Sequence, residues 1–122
     1  MAKIKEIDKA IDAHAMWKRR LQMTIESSRI DTQVETIRRD DQCDFGKWLH
    51  GSTLTSSDKA TKQCQVVVDL HARFHQVASR VVELALTGRK SEAETMMISG
   101  GEYAAISDEL TRAMTDWKKI SK

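Results

Sequence analysis

The chain has 122 residues and no proline, and its 20 basic and 18 acidic side chains leave a net charge of +2. That length suits one domain, residues 1–122, able to bury a modest core without disulfides. The charges are spread along the whole chain, which excludes the clustered basic stripe of a nucleic-acid face. No apolar stretch approaches the roughly 18 residues of a membrane span, and the N-terminus lacks a secretory pattern. Two cysteines at unrelated spacings make no disulfide framework, so a reducing cytoplasm is the expected setting.

Average usage would place roughly six prolines in a chain of this size. Their absence points to long helices joined by few connections. No run alternates apolar and polar residues long enough for a half-buried strand. The expected fold is all-α, an antiparallel bundle of three long helices plus a short one that carries a cysteine.

The first helix shows a seam of Ile4, Ile7, Ile11, His14, Lys18, Leu21 and Ile25, widened by Ala10 and Trp17. Ser27 and Ser28 mark its end. Residues 28–40 are polar, with only Ile30, Val34 and Ile37 to pack, and a connection that long is expected to hold a loose helical turn. Asp40 or Asp41 then caps a short helix carrying residues 43–50, and Gly51 is expected to stop it in the left-handed region. This stretch, CDFGKWLHG, concentrates a thiol, two large rings and two glycines in nine residues. Cys43 falls in the first turn, where amide donors and the helix dipole favour thiolate. Phe45 and Trp48 are spaced to anchor the short helix on the bundle, and Gly46 permits close backbone approach.

A third helix is predicted from about residues 56–58 to 87, stopped by Gly88. Its seam is Cys64, Val67, His71, Phe74, Ala78, Val81 and Ala85, broadened by Leu70, Val77 and Leu84. The fourth helix is expected to open on a capping box at residues 91–94 and to present Met96, Gly100, Tyr103, Leu110, Met114 and Trp117 on one face. Gly100 and Gly101 weaken it and mark either a kink or a close approach.

Bundles place polar residues outward, yet His14 and His71 lie in apolar seams. His71 and His75 are an i, i+4 pair, so one helix can offer two imidazoles to one metal ion. Such pairs also arise by chance, and a lone core histidine is usually hydrogen-bonded structure. The joint pattern says more: three of four histidines fall on apolar faces, beside Trp17 and Phe74, where each needs a partner. Cys43 is the strongest candidate for a fourth donor, since zinc accepts a mixed nitrogen and sulfur shell. Cys64 is a poorer one. It lies about 10.5 Å along the helix axis from His71 and fits better as a small buried hydrophobe. His50 reads as a solvated helix-end residue.

The segments AIDAHAMW (10–17), CDFGKWLHG (43–51) and HARFH (71–75) resemble, in order and spacing, the motifs of the chemoreceptor zinc-binding (CZB) domain family. The resemblance places that family's three-histidine, one-cysteine zinc ligands on His14, Cys43, His71 and His75. It implies a regulatory module of bacterial cytoplasmic signalling, working with a chemoreceptor or a diguanylate cyclase output module, and a homodimer. It also implies that Cys43 is redox-sensitive, since some members sense hypochlorous acid through the zinc-bound cysteine. The expectation is therefore a zinc-responsive regulatory domain and not an enzyme.

Other readings compete. A zinc hydrolase needs an open metal position and a carboxylate base; Asp12, Asp44 and Asp69 are near the motifs, but a fourth protein ligand closes the shell, so they fit better as solvent-facing or as partners of ligand N–H groups. A di-iron carrier is short of histidines. A metal-free interaction bundle would have to explain the buried histidines another way.

Overall fold

The computed structural model describes residues 2–30, 33–39, 43–52, 54–98 and 100–120. Among them are seven helices: α1 (Ala2–Ser27), α2 (Val34–Arg38), α3 (Asp44–His50), α4 (Ser56–Ala60), α5 (Lys62–Leu86), α6 (Lys90–Met97) and α7 (Glu102–Ile120). The three long helices α1, α5 and α7 pack on one another, with the most extensive contact between α5 and α7.

Side-chain pairs define the directions. Asp8 of α1 meets Lys118 of α7 at 2.6 Å, which sets the start of α1 beside the end of α7. Arg80, late in α5, meets Glu102 at the start of α7 at 3.3 Å. Both α1 and α5 therefore run antiparallel to α7. The chain returns between α1 and α5 through α2 and α3. Arg38 pairs with Glu83 near the end of α5, while His50 shares a groove with Cys64 near its start. The expected up-down bundle is present, and its second leg is the broken α2–α3 segment.

The seam of α5 is buried at each of the seven positions read from the sequence. From α1, Ile7, Ala10, Leu21 and Ile25 enter the core, joined by Tyr103, Leu110, Met114 and Trp117 of α7. Lys18, placed in the first seam by spacing, is exposed; a charged head on a bundle edge turns to water. Helix α1 ends at Ser28, whose φ of 57° takes it into the left-handed region.

Helix breaks differ from the expected ones at four places. The long third helix is interrupted at Thr61, whose backbone is extended. Thr55 and Asp58 form a reciprocal capping box on α4, and the Thr61 hydroxyl accepts from the Cys64 amide. Two threonine caps in succession offer the backbone an alternative to continuous helix. At its other end α5 closes on Gly88, at φ +82°, with the Arg89 amide donating to the Leu84 carbonyl at 2.8 Å as in a Schellman turn. That turn leads directly into α6, so its N-cap is Arg89 and the anticipated Ser91 capping box does not form.

The expected fourth helix is split into α6 and α7. Gly100 has φ +86°, and a Cβ on Gly101 would meet the Thr95 and Met96 carbonyl oxygens at 2.5 Å. The glycine pair is thus a turn with a close approach, not a kink in one rod. Gly51 is extended at φ −81° rather than left-handed, its amide donating to the Trp48 carbonyl.

Candidate metal site

Helix α3 has only seven residues, too few to be stable alone. Phe45 and Leu49 are buried, and each such side chain contributes about 1.5–3 kcal/mol on burial. Phe45 stacks with Trp48 at 5.8 Å, and Trp48 lies 5.7 Å from Trp117 of α7. These rings fix the short helix against the bundle. Its N-cap is Cys43 itself, whose Sγ accepts from the buried Gly46 amide at 3.3 Å. The cysteine takes the role expected of Asp40 or Asp41, which lie outside the described residues.

That cap directs Sγ toward α5. Cys43 Sγ lies 3.3 Å from His71 Nε2 and 3.5 Å from His75 Nε2, and the two Nε2 atoms are 3.1 Å apart. His14 completes the group, its ring centroid 4.9 Å from that of His71. One donor atom from each of His14, Cys43, His71 and His75 lies within 4.8 Å of the other three. A tetrahedral shell with metal–nitrogen and metal–sulfur distances near 2.0–2.1 and 2.3 Å has edges of about 3.3 Å (N···N) and 3.6 Å (N···S). The three edges around Cys43, His71 and His75 match those values.

Hydrogen bonds assign two of the ring tautomers. His14 Nδ1 donates to the Ala10 carbonyl at 2.7 Å, and His75 Nδ1 donates to the Ile37 carbonyl at 2.8 Å. A carbonyl can only accept, so in both rings Nδ1 carries a proton, and in the neutral form Nε2 carries the lone pair. His14 Nε2 is buried with no hydrogen-bond partner, as is His71 Nδ1. An unpartnered buried lone pair facing two imidazoles and a thiol is the donor set of a nitrogen–sulfur metal site.

Burial favours the neutral form of His14 and His71. It pushes His14 down to about 4, against the opposing hydrogen bond to Ala10 and with help from nearby His75. His71 falls to about 2, first through burial and then through His75 and His14. Phe45 and Phe74 meet His14 edge-on at 5.9 and 5.0 Å. Trp17 lies edge-on to His75 at 6.3 Å and carries Arg20 over its outer face. A cleft of about 460 Å³ between α1 and α3 is lined by Lys9, Ala13, His14, Trp17 and the half-buried Cys43 among others.

Cys64 is buried in the core and His50 is exposed, as expected from their positions. Asp12, Asp44 and Asp69 are exposed, and Asp69 pairs with Arg73. The acceptors behind His14 and His75 are backbone carbonyls, and no side-chain pattern announces the one at Ile37. The bond within α1 follows from i−4 geometry and was open to inference.

The fold and the cluster define a helical-bundle domain with a candidate three-histidine, one-cysteine metal site. The family model of the chemoreceptor zinc-binding domain matches residues 14–82, more than half of the chain, and the protein belongs to that family. The match encloses all four clustered residues. Neither the curated proteins nor the solved structures compared with the chain gave a match. Among the described residues no helix is long and apolar enough to cross a membrane.

Proposed function

We propose that this chain is a zinc-responsive regulatory domain that holds one zinc ion on His14, Cys43, His71 and His75 and changes its helix packing with occupancy. The observation that carries this reading is the buried, unpartnered Nε2 of His14 in a group with Cys43, His71 and His75. Zinc supplies a redox-inert centre able to tie three helices together. The chain's own part is to keep His14 and His71 neutral, hold the Nδ1 protons of His14 and His75 through Ala10 and Ile37, and present sulfur from a helix cap. Four protein ligands leave no open position for substrate, which favours regulation over hydrolysis.

A second reading of the same site is redox sensing by Cys43, favoured by its half-buried position on the lining of the cleft between α1 and α3. Hypochlorous acid would transfer oxygen to the thiolate, giving sulfenic acid and chloride, and the weakened ligand would free α3. We further propose that residues 1–122 form a single cytoplasmic domain that works as a homodimer with a chemoreceptor or diguanylate cyclase output module in cis or in trans, with no nucleic-acid partner and no membrane insertion.

One set of measurements tests these readings. Protein purified without added zinc should contain one zinc per chain and elute as a dimer by light scattering. Cys43→Ala should bind zinc much more weakly, and one equivalent of hypochlorous acid should release the metal from the wild type. Zinc far below one per chain, unaffected by Cys43→Ala, sinks the zinc reading. Zinc retained after Cys43 has oxidised sinks the redox one, and a monomer mass sinks the dimer.

A further inference from the structure

The two assigned tautomers rest on different supports. The acceptor for His14 is in its own helix and is present whenever α1 is folded. The acceptor for His75 is the carbonyl of Ile37, 38 residues away in sequence and part of α2. Helix α2 has five residues, and so short a helix holds its shape only while docked. Its docking on α5 rests on the buried Ile37 side chain, the half-buried Val34, and the ion pair from Arg38 to Glu83. While α2 is docked, His75 Nδ1 carries the proton and Nε2 is a lone pair in the cluster. Once α2 departs, the hydrogen bond from His75 Nδ1 to the Ile37 carbonyl is lost.

We propose that α2 is a clasp for the metal site: the Ile37 carbonyl positions His75 as a ligand, and Arg38 with Glu83 latches the clasp to α5. This rests on the zinc reading and names the element through which occupancy is felt. Linkage is reciprocal, so a docked clasp strengthens zinc binding and bound zinc holds the clasp shut. A five-residue helix with one buried side chain, Ile37, opens more readily than a long one, which suits α2 to report the state of the site.

Zinc affinity of the full chain by competition titration, with hydrogen exchange of residues 34–38, tests this. Ile37→Ala should weaken zinc binding about 10- to 100-fold, the range found when outer partners of metal ligands are lost. Met97→Ala, a core truncation on α6, should stay within about twofold as a control for general destabilisation. Should Ile37→Ala fail to fold, the surface change Arg38→Ala should still weaken binding about two- to fivefold, and Arg38→Glu combined with Glu83→Arg should restore it. Zinc should also slow exchange in α2 about tenfold or more. Unchanged affinity in Ile37→Ala and Arg38→Ala, or unchanged α2 exchange in a stoichiometric zinc complex, overturns the clasp and leaves the zinc reading intact. A wild type that binds no zinc refutes the underlying reading instead.

Discussion

His14 and His71 release their protons readily because charge is expensive where they sit, and this makes acid an antagonist of the fold. Their folded-state values, about 4 and about 2, lie below the 6.5 of an unconstrained imidazole. Below pH 6.5 the unfolded chain therefore binds more protons than the folded one. The stability of the metal-free protein is fully present above that pH and drains as pH falls, down to about 4 for His14 and on toward about 2 for His71. Each such proton changes stability by about 1.4 kcal/mol per pH unit, so the two rings together steepen the dependence to at most about 3 kcal/mol per unit. Urea midpoints of chelator-treated protein at pH 7.5, 6 and 5 should fall accordingly. His71→Phe should flatten the dependence, and an unaltered slope in that variant contradicts the assignment. At this scale the sequence was informative: side chains of the wrong polarity in a seam pointed to His14 and His71, and helical spacing added His75. It was silent on the Ile37 carbonyl, because every residue carries one and only tertiary structure selects which meets a ring.

The short elements do the positioning. Helix α3 aims Cys43 because the cysteine is its cap and Phe45 and Leu49 are its anchors. Spacing placed Cys43 near a helix start but could not separate a cap from a first-turn residue, a difference of one position that decides where sulfur points. Apolar periodicity found all the long helices and missed their breaks, because it runs through Thr61 and past Gly100 without changing phase. What breaks them is local chemistry, a threonine cap in one case and a glycine turn in the other. The Gly101 turn gives a direct check. Ala at 101 would force its Cβ against two main-chain oxygens that cannot swing aside. Gly101→Ala should lower stability by about 1–3 kcal/mol, as other overpacked sites do, measured by urea denaturation. A neutral result would mean that α6 and α7 can shift apart freely there.

On the scale of the whole molecule, the bundle brings together four candidate ligands drawn from α1, the N-cap of α3, and α5. None of these elements could close the shell alone. The second leg of the bundle, α2 and α3, is the part with the fewest residues in helix, and it supplies both the sulfur and the carbonyl behind His75. A site built between stable rods and a marginal leg is suited to switching, since metal adds most where the fold holds least. The central claim is the composition of the shell. Zinc-edge X-ray absorption on the purified protein reads it directly. One sulfur near 2.3 Å and three nitrogens near 2.0–2.1 Å are the predicted neighbours. A shell of nitrogen and oxygen without sulfur, or one with two sulfurs, would contradict the account.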